Sequence, residues 1–104
     1  MGIIKQRVIS WGESNAVDLA SYRVYWKKKV DAGDVVTYDD EHQDVGLVTE
    51  ITLPDDISSS MEWEGDYSIG ITALDNTGNE SPMTSAESFF DFVAPPAPGF
   101  VTII

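Results

Sequence analysis

From Arg7 to Val93 the apolar side chains return with a period of two residues, not the 3.6 of a helix. Such alternation gives each strand one apolar face, and that face needs a second sheet to cover it. Arg7-Val8-Ile9-Ser10-Trp11 is predicted as a first strand, followed by a polar stretch from Gly12 to Asp18. In the next, Tyr22, Val24 and Trp26 share one face while Arg23, Tyr25 and Lys27 share the other. Val35-Val36-Thr37-Tyr38 is shorter and flanked by acid, as an edge strand would be. Thr49–Leu53 alternates cleanly and stops at Pro54, and 54–60 has the composition of a loop. The strongest signal is Tyr67–Ala73, with Tyr67, Ile69, Ile71 and Ala73 facing inward. Asp75–Asn79 reads as a turn and Ser85–Val93 as the last strand. Six or so short strands without a helix predict an all-β antiparallel sandwich.

At 104 residues the chain has room for one such core and not two. It contains no cysteine, which excludes disulfides, thiolate catalysis and zinc–thiolate sites together. The net charge of −12 repels phosphate, so neither nucleic acid nor an anionic membrane is an expected partner. Lys27-Lys28-Lys29 is the one basic cluster and reads as a solvated strand end. No apolar run approaches the roughly 20 residues of a membrane-spanning helix. The start, Met1-Gly2-Ile3-Ile4-Lys5, lacks the charged-then-apolar order of a signal peptide.

Few constellations suit chemistry. His42 is the single histidine, so no histidine pair is available for a metal or a catalytic triad. Asp39-Asp40-Glu41-His42-Gln43-Asp44 concentrates carboxylates without the spacing or central glycine of a calcium loop. Asp75-Asn76-Thr77-Gly78-Asn79 invites a calcium reading too, but a turn with Gly78 in the left-handed region explains it with less. Asn79-Glu80-Ser81 has the form of a glycosylation sequon. Ser58-Ser59-Ser60 has neither a glycine-flanked elbow nor a base beside it. The chain is therefore expected to be no enzyme, with no cofactor and no metal.

Several positions together resemble the fibronectin type III module in its bacterial form. They are Trp11 near the end of one strand, Tyr22, Val24 and Trp26 in the next, Tyr67, Ile71 and Ala73 later, and the loop Leu74–Ser81. Met61 stands where that family has leucine, and Trp63 where it has proline. The resemblance spans 7–93 and implies an immunoglobulin-like two-sheet sandwich whose first strand is missing or reduced. It makes Trp11 the central core aromatic and brings the loops 12–20 and 74–81 to one pole. Tyr67 opens its strand, so its hydroxyl is expected to turn back onto backbone of the preceding loop, unless it is a plain core tyrosine. Trp63 lies among Glu62, Glu64 and Asp66. It is read either as half exposed, a contact surface together with Asp75, Asn76 and Asn79, or as packed over an edge.

The functional expectation is a structural, spacer or protein-interaction module of a larger multi-module protein, in a secreted or cell-surface setting by resemblance. Its partners would be neighbouring modules or a protein ligand. An accessory domain of a carbohydrate-active enzyme or a phage virion protein is the alternative. Residues 1–93 are taken as the module and 94–104 as a proline-rich linker leading into a strand of a following one. That tail is expected to be loosely held or engaged with a neighbouring molecule, including strand-swapped self-association through residues 95–104.

Overall fold

The structure is a computed structural model describing residues 2–104. Six strands form, in chain order: β1 (Arg7–Ser10), β2 (Leu19–Lys28), β3 (Glu41–Gly46), β4 (Glu50–Leu53), β5 (Glu64–Asp75) and β6 (Thr84–Asp91). One turn of 3-10 helix, Ser58–Glu62, separates β4 from β5. The strands make two antiparallel sheets, β1-β4 and β3-β2-β5-β6, which face each other as a sandwich. The two long central strands, β2 and β5, pair from Leu19↔Asp75 to Lys28↔Tyr67. Residues 2–6 run into β1 without joining a sheet.

Alternation sends Val24 and Trp26 from β2, and Tyr67 and Ile69 from β5, into the space between the sheets. Ile51 and Leu53 from β4 meet them from the other side, with Ile57, Phe90 and Phe92 closing one end. Trp63 lies among these residues, 4% exposed. Its ring stacks on Tyr67 at 4.3 Å and 12° and sits 5.9 Å from Trp26 and 5.6 Å from Phe90. A half-exposed Trp63 is thus corrected: it is the central aromatic of the core. Its acidic neighbours mislead because the helical turn ahead of it reverses the chain and aims the indole inward. Glu62 and Glu64 meanwhile stay in solvent.

Trp11 holds a more marginal place than expected. It is half-buried, packed against the core, with its ring edge-on to Tyr22 at 5.7 Å. The reason is position, since it follows the last residue of a four-residue strand and sits beside the loops. Tyr22 itself is buried, Ile71 packs on the core margin, and Ala73 is half-buried. The Tyr67 hydroxyl makes no hydrogen bond among the described residues, so the expected corner is replaced by the stack on Trp63. Burial, then the Glu41 charge, raises its pKa above the ordinary tyrosine value. Tyr67→Phe is expected to change stability by less than about 0.5 kcal/mol. A fall in denaturant midpoint equivalent to about 0.5–1.5 kcal/mol would reveal a bonded hydroxyl.

The outer face of the larger sheet is not left to water. Tyr25, which alternation assigns to that face, is 2% exposed. The segment after β2 lies across it: the Val36 N–H donates to Ser68 Oγ at 3.1 Å and the Tyr38 hydroxyl to the Ser81 carbonyl at 2.8 Å. Val35–Tyr38 is therefore no edge strand, because β3 already occupies that edge of β2 and leaves it nothing to pair with. Gly70 lies beneath this cover. A Cβ there would come within 2.9 Å of Val36 Cγ1 and 2.8 Å of Met83 Cγ, so close approach requires glycine. Arg23 bonds Asp44 at 2.5 Å and reaches Glu80 at 3.4 Å, tying β2 to β3 and to the loop before β6.

Candidate functional site

β1 ends, β2 begins, β5 ends and β6 begins at the same pole, so the loops 11–18 and 76–83 share it. Their contact is direct: the Asn76 N–H donates to the Asp18 carbonyl at 3.0 Å. The Tyr22 hydroxyl, held in β2, accepts from the Ser14 N–H at 2.9 Å and fixes the first loop from beneath. Ser81 fixes the second, its N–H bonding the Ala73 carbonyl and its Oγ accepting from the Ala73 N–H, both at 2.9 Å. Two loops remote in sequence thus form one continuous surface, with Val17 fully exposed on it.

Within the second loop, Asp75 organises the turn. Its Oδ1 accepts the Asn79 N–H at 2.8 Å and the Thr77 N–H and hydroxyl at 2.9 Å each. Its Oδ2 accepts the Asn79 side-chain amide at 3.0 Å. Gly78 supplies the positive φ, 90°, that closes the turn. The Asn79 amide and N–H, with smaller help from Thr77, hold the Asp75 carboxyl at about 2, below its ordinary 3.8. Both oxygens of Asp75 are occupied by the turn itself, which accounts for the residues that invited a calcium reading.

The sign of the pH effect follows. A depressed carboxyl stabilises the fold while ionised, so the contribution is complete above about pH 4 and fades as pH falls toward 2. Asp75→Asn should therefore lower the melting temperature by a few degrees at neutral pH. The gap between variant and parent should close on acidification between pH 4 and 2. Parallel melting scans across that range check it, and a constant gap would mean that the charge of Asp75 does not matter.

The structure brings Asp75, Asn76 and Asn79 together at the loop pole and leaves Trp63 far from them, inside the core. Behind the loops is a shallow recess of about 150 Å3 lined by Trp11, Gly12, Ser14 and Pro82 among others. Trp11 Nε1 is buried there with no hydrogen-bond partner among the described residues. A larger open hollow, about 430 Å3, lies at the opposite pole between Lys29, Asp31, Asp66 and Glu87. Lys29 and Glu87 pair across it.

The acidic run at 39–44 does not form one cluster. β3 begins inside it and alternation splits the side chains between two faces. Asp40 accepts the Thr37 N–H at 2.7 Å, Glu41 accepts Trp26 Nε1 at 3.0 Å, and Asp44 pairs with Arg23. The bond from Arg23 lowers the Asp44 pKa and raises that of the guanidinium. His42 is exposed, its ring 5.0 Å from that of Tyr25. Among the described residues no group of three or more His, Cys, Asp or Glu is arranged to hold a metal ion.

Reasoning from sequence missed two features of this pole, the Asn76–Asp18 link and the support from Tyr22. The first joins two backbone groups, and in the second the donor is the Ser14 backbone N–H, so neither partner loop is marked by its residue type. Comparison with protein-family models, with curated proteins and with solved structures finds no match to this chain.

Proposed function

We propose that this chain is a non-catalytic protein-interaction module of the fibronectin type III kind, working within a larger secreted or cell-surface protein. The observation that carries the reading is the polarity of the fold. The segments before β1 and after β6 run side by side, a Cβ on Gly2 falling 2.8 Å from Ala94 Cβ, at the pole away from the linked loops. A module tethered there would hold its loop pole toward solvent, already ordered by the Asn76–Asp18 and Ser14–Tyr22 bonds. Ordering before binding spares a ligand the entropy cost of fixing loops. With Glu13, Asp18 and Asp75 at this pole, the complementary ligand is a basic or neutral protein surface.

The spacer reading draws on another feature. Pro95, Pro96 and Pro98 make the segment after β6 stiff and extended, as suits a linker that sets distance.

Loop replacement separates the two. Chains with residues 13–17 and 76–78 changed to glycine and serine are compared with the parent for partner capture. The interaction reading expects capture to vanish while melting shifts modestly. Capture that survives, or that is lost instead on changing Glu62 and Asp91 at the other pole, defeats it. Turnover in a broad substrate screen, abolished by one side-chain change, defeats the non-catalytic part.

A further inference from the structure

We infer that the gap between β1 and β6 is a strand-acceptor site, and that its occupant is residues 100–104 of a second copy of this chain. The inference rests on open backbone edges and one uncharged segment, and not on the loop-pole reading above.

Among the described residues β1 pairs with β4 alone. The Trp11 N–H donates to the Thr49 carbonyl, so by antiparallel alternation Ile9 and Arg7 turn their backbone groups toward β4. Val8 and Ser10 consequently turn theirs to the open side. On the facing edge, the Phe92 N–H bonds the Trp63 carbonyl, which by the same alternation sends the backbone groups of Glu87 and Phe89 outward. A long arginine side chain is what joins the two edges: Arg7 Nη1 donates to the Phe89 carbonyl at 2.8 Å and Nη2 to Ser88 Oγ at 3.1 Å. Between them lies a groove of about 230 Å3, floored by Ile69, Ala86 and Phe90 with Val8 at its rim, 60% exposed. An unpaired edge beside an apolar groove is a template for an added strand.

The chain carries a segment suited to it. Residues 92–104 contain no charged side chain, although the protein carries −12. Phe100-Val101-Thr102-Ile103-Ile104 is β-branched and aromatic, and its large apolar residues are almost wholly exposed: Phe100 87%, Val101 84%, Ile103 92%. The tail projects from the sandwich, giving a radius of gyration of 17.0 Å where a compact chain of this length has roughly 13 Å. Laid antiparallel to β1, it would put Val101 and Ile103 on the groove floor and Thr102 beside Val8.

Its own sandwich is a poor host. β6 ends at the pole where β1 begins, so an antiparallel strand on β1 must start from the far pole. The tail would first have to recross the molecule, about 17–20 Å for a typical strand. Pro95, Pro96 and Pro98 also hold that stretch extended and lack N–H donors, which disfavours a ladder folding straight back on β6. A second copy has neither constraint. Because both copies are strongly acidic, association should strengthen as salt screens their repulsion.

Sedimentation of the full chain from micromolar to millimolar concentration, at low and high salt, provides the test. Expected is reversible association, tighter in high salt. It should weaken tenfold or more in Val101→Lys/Ile103→Lys, which would bury two charges in the groove. Those side chains are 84% and 92% exposed in the single copy, so dilute melting should not change. The chain has no cysteine, so Val8→Cys and Thr102→Cys made in separate chains report the contact directly, by a disulfide that forms on mixing. A monomer at every concentration overturns the inference. So does association that the lysines leave intact, or a disulfide that closes within one dilute chain carrying both cysteines.

Discussion

Replacing Trp63 with alanine is expected to lower unfolding free energy by about 3–5 kcal/mol, the usual cost of emptying a large aromatic from a packed core. The size follows from what the indole touches. It stacks on Tyr67 and lies within 6.5 Å, ring to ring, of Trp26, Phe90 and Phe92. Four aromatic rings from β2, β5 and the end of β6 would face the void, and rigid rings collapse poorly into one. Trp63→Phe should recover part of the loss by keeping a stack on Tyr67. Trp11→Ala, at the core margin, should cost clearly less than Trp63→Ala. Urea midpoints for the three variants check the ranking, and a larger loss at Trp11 would return it to the centre of the core.

Glu80→Ala should cost about 2–4 kcal/mol, because it strips a shared acceptor from buried donors. The Glu80 carboxylate accepts the Tyr25 and Thr72 hydroxyls at 2.5 Å each and faces Arg23. Both hydroxyl-bearing residues are all but inaccessible to water in the intact protein, 2% and 1% exposed, so each depends on Glu80 for its partner. A second readout is specific to the pair. Burial first, and Glu80 after it, raises the Tyr25 pKa above the ordinary tyrosine value. Removing Glu80 should bring the Tyr25 titration part of the way back. In a double-mutant cycle with Tyr25→Phe, the losses should sum to less than their separate values, since each variant breaks the same bond. Additive losses would show that the two side chains do not act together.

How far the sequence discloses this fold depends on which forces hold each part. β1, β2, β4 and β5 are legible because their core-facing residues alternate, and β6 because its apolar end, Phe89 to Val93, follows a turn. β3 is not, since Glu41–Gly46 has one large apolar residue, Val45, and is held by backbone pairing with β2 and by side-chain bonds to Arg23 and Trp26. Its inward face carries only Gln43 and Val45, both half-buried, so its sequence shows no run of apolar alternation and its carboxylates pass for an acidic loop. The outer layer is hidden for the opposite reason. Tyr25 has the alternation of a solvent-facing residue, and it is covered by parts remote from its strand in sequence, among them Tyr38, His42 and Glu80. For the loop pole, sequence gives the members, Asp75, Asn76 and Asn79, and the need for Gly78. The resemblance brings the loop 12–20 to the same pole, but nothing in the residue types announces the Asn76–Asp18 bond that joins the two.

The adjacent exits of the chain also set how this fold would bear load. Force applied through the segments before β1 and after β6 would act at one pole, across the strands and not along them. Ladder hydrogen bonds would then break in succession from that pole, not all at once in shear, so extension should proceed at low force. β1, with four residues and one partner, should be the first to leave. Its release would uncover the Trp63 cluster while the β2–β5 pair still stood, making the small sheet a mechanical fuse for the larger one.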